Sequence, residues 1–302
     1  MALSEPSRRF WIVDAFSSVP LRGNPAAVVL DGDGLDTDAM QRIAAEFNLS
    51  ETVFARAASD PAADYAVRIF TPKAELPFAG HPTLAAAFAV HESGWLGDVA
   101  PKTAGHLHQE CGIGVVPVEI ESADDATRFV MTQATPSHRP AGLDPESLAA
   151  LLGCAAEDIA PGPIEVVSTG APWCVAGLRS REAIEALAPN LPELAQWSAK
   201  AECEGITVFC DGAEAPDCRL RLRTFAPRHG ITEDPVCGSG NGAVAAYVAA
   251  HGVGFTLPFR FWNEQGVEMG RGGRAYVEVD AGADGLRVRV GGFAARFAAG
   301  AL

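Results

Sequence analysis

Proton transfer at carbon needs a positioned base, and three sites in this chain carry side chains suited to it. Glu51 lies on the strand entry Leu49-Ser-Glu-Thr-Val, His81 in Gly80-His81-Pro82, and Asp234 in Glu233-Asp234-Pro235. Carboxylates and imidazole are the usual carriers of protons in acid–base catalysis once their surroundings bring their pKa toward neutrality. Burial should therefore raise the pKa of Glu51, and its carboxylate should lie within about 4 to 7 Å of His81 or Asp234 so that one substrate can touch all three. His81, at a helix start, should have its cationic form disfavoured and should hydrogen-bond to substrate as a neutral ring. Glu75 and Glu233 stand beside the same two positions.

Two runs of small and apolar residues follow these sites, Pro82 to Val90 and Gly242 to Ala250, with Gly94 and Gly252 just beyond as stop signals. A helix that is apolar all round is buried on every side, so each run predicts a central helix wrapped by a sheet. Ser239 is suited to an N-cap and Pro82 to the first helical position. Gly80 and Gly238 let a ligand approach the backbone closely, and the free N–H groups of a helix start attract carboxylates. Two such starts at equivalent places, facing each other, would clamp an anionic substrate. The alternative is that both only begin core helices.

The elements that position these residues repeat. Arg68-Ile-Phe70-Thr-Pro72 is echoed by Arg223-Thr-Phe225-Ala-Pro227, and Thr52-Val-Phe54 by Thr207-Val-Phe209, all at an offset of 155. Glu75 to His81 matches Glu233 to Ser239 at 158, and Gly23-Asn-Pro25 resembles Gly170-Ala-Pro172 at 147. In this alignment Glu51 has Ile206 as its counterpart. Four ordered echoes predict two related halves. β-Branched and aromatic runs predict strands over 10–16, 26–30, 52–56 and 65–71, and over 164–168, 173–178, 206–210, 219–225, 259–262, 275–279 and 286–290. Alternation in Arg219-Leu-Arg-Leu-Arg and Arg287-Val-Arg-Val predicts one wet face on each of those strands. Helices near 37–47, 145–152 and 182–187 have the polar patterning of outer helices.

The length, 302 residues, exceeds a usual single domain, and 48% hydrophobic residues supply two cores. A net charge of -15 argues against nucleic acid, which needs surplus Lys and Arg. Seven cysteines without a CxxC pair argue against a disulfide framework or structural zinc and suit a reducing cytoplasm. No signal-like segment follows Met1, and no run approaches a membrane span, so no membrane partner is expected.

Together, Val13-Asp-Ala-Phe16, Gly23-Asn-Pro, Asn48-Leu-Ser-Glu-Thr, Arg68-Ile-Phe-Thr-Pro, Glu75-Leu-Pro-Phe-Ala-Gly-His-Pro82 and Glu233-Asp-Pro-Val-Cys-Gly-Ser239 resemble the phenazine-biosynthesis PhzF-like isomerases. Order and spacing match from about residue 10 to Arg271. The resemblance implies an α+β fold like that of diaminopimelate epimerase: two pseudo-symmetric halves, each a β-barrel-like sheet around a central buried helix, with the active site between them. It implies a first half of 1–133, completed by a C-terminal strand at about 286–302, and a second half of 134–285. It also implies catalysis without metal or organic cofactor, a small anionic metabolite as substrate, and a homodimer. The family's founding activity isomerises trans-2,3-dihydro-3-hydroxyanthranilate. By motif, Glu51 resembles the residue that moves the proton, His81 and Asp234 resemble polar partners of the substrate, and Gly80, Gly238 and Ser239 resemble the anion-binding starts.

One departure bears on mechanism. Related racemases and epimerases use a cysteine from each half, whereas the equivalent positions here hold Ala79 and Cys237. A thiol at a helix start should have a lowered pKa and favour thiolate. Cys237 therefore reads either as a substrate-contacting residue or as a small residue packed at the helix start. Three functions fit: a proton-relocating isomerase, an epimerase or racemase using Glu51 or Cys237, and a metabolite-binding protein without turnover.

Overall fold

The first strand begins where polar residues give way to Phe10-Trp-Ile-Val, and from there apolar segments alternate with turn residues through the chain. The structure, a computed structural model, describes residues 7–97, 101–123, 126–252, 254–283 and 285–302. Residues 1–6, where a leader was sought, lie outside the described residues. The chain divides into two units, one of the described residues up to Met131 with Gly291–Leu302, the other Thr132–Val290.

In the first unit β1 (Arg9–Ala15) pairs antiparallel with β2 (Asn24–Val29). α1 (Thr37–Phe47) then crosses over to β3 (Glu51–Arg56), parallel to β2. The Asp36 side chain caps α1 by accepting from Ala39 N at 2.7 Å, and Asn48 ends it in the left-handed conformation. Met40 and Ala44 pack under α1 on Val29, Phe54 and Phe70. β4 (Tyr65–Phe70) and the short β5 (Glu75–Leu76) lead into α2 (Gly80–Glu92), which crosses to β6 (His106–Cys111), parallel to β4. β7 (Gly114–Ala123) and β8 (Ala126–Thr132) complete an antiparallel meander. The last strand of the chain, Ala294–Ala301, pairs antiparallel with β1. α2 packs on β1, β2, β3, β6 and that last strand, and nine of its thirteen residues are buried, so the sheet encloses it.

The second unit repeats this plan. After β9 (Ser137–Pro140) and α3 (Pro145–Leu152), β10 (Glu165–Ser168) pairs antiparallel with β11 (Pro172–Gly177). α4 (Arg181–Glu185) and α5 (Leu191–Lys200) cross over to β12 (Gly205–Asp211), parallel to β11. β13 (Cys218–Ala226) and β14 (Ile231–Asp234) lead into α6 (Gly238–His251), which crosses to β15 (Phe259–Gln265), parallel to β13. β16 (Gly273–Gly282), β17 (Gly285–Gly292) and the last strand, β18, follow. In each unit the buried helix is thus the crossover between two parallel strands, the arrangement such a connection requires. The outer helices α3, α4 and α5 cover Val166, Cys174, Ile206 and Val208. α5 escaped the sequence reading, although Asn190-Leu-Pro192 carries its start signal: the Asn190 side chain accepts from Glu193 N.

The alternation of Arg219-Leu-Arg-Leu-Arg misleads. Arg221 and Arg223 are buried at 2% and 7%, so β13 has no wet face there. Carboxylates, not water, solvate them. Arg221 Nη2 lies 2.9 Å from Glu268 and 3.3 Å from Glu185, and Arg223 forms a two-pronged pair with Glu233 at 2.8 Å on each arm. On β17 the expectation holds at Arg287, which is exposed while Val288 and Val290 are buried, but the Arg289 side chain is only 13% exposed and pairs with Glu278 at 3.0 Å.

Candidate active site

Glu51 opens β3, three residues after the left-handed Asn48 that ends α1. Its carboxylate is buried, with the residue 6% exposed, and Oε2 lies 3.1 Å from His81 Nε2. That is closer than the separation expected for two groups flanking a substrate. Among the described residues Oε2 nevertheless has no hydrogen bond of good alignment. Ser50 Oγ lies 3.5 Å from the same His81 nitrogen. The Glu51 pKa does not rise as burial alone would dictate. Burial pushes it up, but the electrostatic attraction of His81 and hydrogen bonds from His81 and Ser50 outweigh that, and it lies below its ordinary value. The carboxylate is therefore ionised and ready to take a proton.

The other face of the imidazole is held by a residue that sequence reasoning missed. Asn24 Nδ2 lies 3.2 Å from His81 Nδ1, inside the first unit. With the carboxamide so oriented, Nδ1 is the acceptor, and the ring proton sits on Nε2, facing Glu51. Asn24 reaches this place because Gly23 turns the chain at φ +71°, where an added Cβ would stand 2.1 Å from Ala15 O. Its signals were the Gly23-Asn-Pro segment of the family resemblance and the echo at Gly170-Ala-Pro172, which carries alanine at the asparagine position.

α2 starts at Gly80, two residues before the expected Pro82, and its N-cap Ala79 offers no side-chain bond. Pro82 in the first turn has no N–H, so the N–H groups that this helix start presents come from Gly80 and His81. A Cβ added at Gly80 meets nothing within 4 Å, which leaves open space beside those donors.

In the second unit Asp234, Cys237, Gly238 and Ser239 come together at the start of α6. The N-cap is Cys237 rather than Ser239: its Sγ accepts from Gly240 N at 3.3 Å. Ser239 sits in the first turn, and its hydroxyl accepts from Trp173 Nε1 at 2.9 Å. The Cys237 thiol does not have the lowered pKa expected at a helix start. Burial and the neighbouring Asp234 charge push it well above its ordinary value, so it stays a thiol. Gln265 fixes the approach to this start, accepting from Cys237 N at 3.2 Å and donating to Asp234 O at 2.9 Å.

The two buried helices share a device that apolar patterning hid. Thr83 in α2 accepts from Gln109 on β6 at 2.9 Å, while Asn241, its equivalent in α6 at the offset of 158, binds Gln265 and Asn263 on β15 at 2.9 and 3.0 Å. These buried hydrogen bonds lock each helix to the strand after it. Glu75 and Glu233 are also equivalent, and neither is free for chemistry: each forms a two-pronged pair, with Arg68 at 2.6 Å and Arg223 at 2.8 Å. These pairs tie β5 to β4 and β14 to β13, just before the helix starts.

Register corrects the counterpart of Glu51. Glu51 pairs across to Ala26, and Thr52 to Phe70. In the second unit Gly205 pairs to Trp173, and Ile206 to Phe225. Since Ala26 matches Trp173 and Phe70 matches Phe225, Gly205 stands where Glu51 does, not Ile206. A carboxylate is thus foreign to the repeated scaffold at this position.

A model of the phenazine biosynthesis-like proteins (PhzC-PhzF) matches residues 13–300. The trans-2,3-dihydro-3-hydroxyanthranilate isomerase of Pseudomonas fluorescens is 36% identical over 96% of this chain and 98% of its own. The crystal structure of a PhzF-family phenazine biosynthesis protein from Bacillus anthracis is 28% identical, with a TM-score of 0.89 over 99% of each chain. A hydroxyproline epimerase from Agrobacterium vitis, 16% identical with a TM-score of 0.61 over 99% of this chain and 94% of its own, shares the fold. The chain, with one buried helix wrapped by strands in each unit, belongs to the PhzC-PhzF family of phenazine biosynthesis-like proteins and is an isomerase.

Proposed function

We propose that this isomerase moves a proton between two carbons of a small carboxylic-acid metabolite, with Glu51 as the base and without metal or organic cofactor. The observation that carries the reading is the Glu51 carboxylate: buried, ionised, 3.1 Å from His81 and with Oε2 not engaged in an aligned bond. Glu51 takes the proton from an acidic C–H, becomes a carboxylic acid, and the electron pair delocalises toward a second carbon. The same acid then returns the proton there, so Glu51 ends as it began. Negative charge developing on the substrate is held by the N–H groups of Gly80 and His81, preorganised donors of the kind that dominate many such reactions.

His81 acts chiefly on Glu51. With Asn24 on Nδ1 and the proton on Nε2, it orients the carboxylate and keeps it ionised between turnovers. In the second unit the N–H groups of Gly238 and Ser239 offer an anion subsite, Asp234 a polar partner for the substrate, and Cys237 a neutral thiol wall. A thiol kept protonated argues against Cys237 as a racemase base. The substrate class proposed is unsaturated or hydroxylated carboxylic acids, which include the trans-2,3-dihydro-3-hydroxyanthranilate named for the Pseudomonas relative. A cytoplasmic homodimer is proposed as the working form.

Incubation with such acids in deuterated water tests the reading. Label appearing at a carbon other than the one deprotonated supports isomerisation. Label only at the starting carbon, with inversion, would establish epimerisation instead.

A further inference from the structure

We propose that the second unit carries a binding site for one divalent transition ion, Zn²⁺ being the natural occupant, formed by His138, Glu165 and His251. This site is independent of the proton chemistry. His138 lies on β9, Glu165 on the adjacent β10, and His251 is the last residue of α6. His138 Nδ1 lies 3.1 Å and His251 Nε2 2.9 Å from the same oxygen, Oε2 of Glu165. The three donor atoms all fall within 4.8 Å of one another.

Two imidazoles and a carboxylate form a recurrent ligand set for Zn²⁺ and its first-row neighbours. An ion with bonds of about 2.0–2.2 Å in tetrahedral geometry spaces its donors about 3.3–3.5 Å apart, so the two His–Glu165 separations need only a slight widening and the two imidazoles stay within reach of one ion. Three protein ligands leave the fourth position to water, and side-chain exposures of 25%, 18% and 28% leave that position reachable. Placement also favours a cation. His251 ends a 14-residue helix whose carboxyl-terminal dipole attracts positive charge. The His251 ring packs 4.6 Å from Tyr247, whose hydroxyl donates to Pro163 O at 2.7 Å, which restrains the ligand.

The site pins the far end of α6 to the strand pair β9–β10. A 14-residue helix is about 20 Å long, so the ion sits well away from Cys237 and Ser239 and takes no part in their chemistry. Its consequence is stability: an ion that binds only the folded unit raises its melting temperature as its concentration rises.

The test uses the full chain without a histidine tag, stripped with chelator and titrated with Zn²⁺ against a chromophoric competitor. Co²⁺ serves in parallel as a spectroscopic stand-in. One tight ion per chain, a rise in melting temperature, and visible Co²⁺ bands of four-coordinate type are expected. His138→Ala, Glu165→Gln and His251→Ala should each weaken Zn²⁺ binding at least about tenfold, with unchanged circular dichroism in the absence of metal. Absence of Zn²⁺ binding by the unmutated protein at micromolar ion overturns the proposal. So does tight binding that survives all three substitutions.

Discussion

Glu233→Gln and Glu75→Gln are the same change at equivalent places in the two units, and the structure assigns them different costs. Arg223 and Glu233 are largely buried, with side-chain exposures of 8% and 14%. Arg68 and Glu75 are at 24% and 39%. Removing one charge of a buried pair strands the other, at a cost of about 3–5 kcal/mol. Arg223 keeps two carbonyl acceptors, Ile184 O at 3.0 Å and Leu187 O at 3.3 Å, which places Glu233→Gln near the low end, about 3 kcal/mol. For a unit of this size that is a fall of about 6 to 12 °C in melting temperature. The exposed pair is screened by water, so Glu75→Gln should cost at most about 1 kcal/mol. Thermal and urea unfolding followed by near-ultraviolet circular dichroism measure both. Equal losses in the two variants, or a Glu233→Gln loss within about 1 kcal/mol, would refute the claim that burial distinguishes these pairs.

Other expectations follow from single contacts. Cys237→Ala should keep activity within a few-fold and stability within about 1 kcal/mol, and the Cys237 thiol of the unmutated protein should alkylate slowly at neutral pH; a loss of about 10²-fold with the fold intact would restore it as a base. Gly205→Ala places a Cβ 1.9 Å from Phe225 O, a clash with backbone that cannot rotate away, so the variant should unfold by several kcal/mol or fail to accumulate; a near-native melting temperature would contradict this. The Glu51 pKa is depressed in the fold, so its contribution to stability is present above the unfolded value of 4.5 and is lost as pH falls through the lower folded value. The profile of kcat/KM should accordingly show no acid limb between about pH 5 and 7; a limb near 6 would mean that burial outweighs His81.

Much of this was legible in the residues. The repeated Arg-x-Phe-x-Pro and helix-start motifs disclosed two like units, and the all-apolar runs disclosed the buried helices, because both depend on short-range pattern. The limits were long-range. Whether Arg221 and Arg223 face water depends on glutamates 10 to 47 residues further along the chain, so alternation alone mispredicted them. The Glu51 pKa depended on an imidazole 30 residues away, and the Cys237 pKa on burial and Asp234, which no helix-start rule includes. The counterpart of Glu51 turned on a one-residue register difference that the Thr-Val-Phe echo concealed. Asn24 and Gln265 had no catalytic signature, since an amide acts here only through what it holds. Asn241, a polar residue just before the apolar run and buried in the first turn of α6, belongs to that network.

The claim that Glu51 is the base has a direct measurement. Glu51→Gln keeps the size and hydrogen-bonding capacity of the side chain but cannot accept the proton. With a turned-over carboxylic acid in deuterated water, the variant should lose deuterium exchange by about 10²- to 10⁴-fold. Binding of the same acid should survive, because the helix starts at Gly80 and Gly238 are untouched. Exchange at the unmutated rate by a folded Glu51→Gln protein would contradict the account.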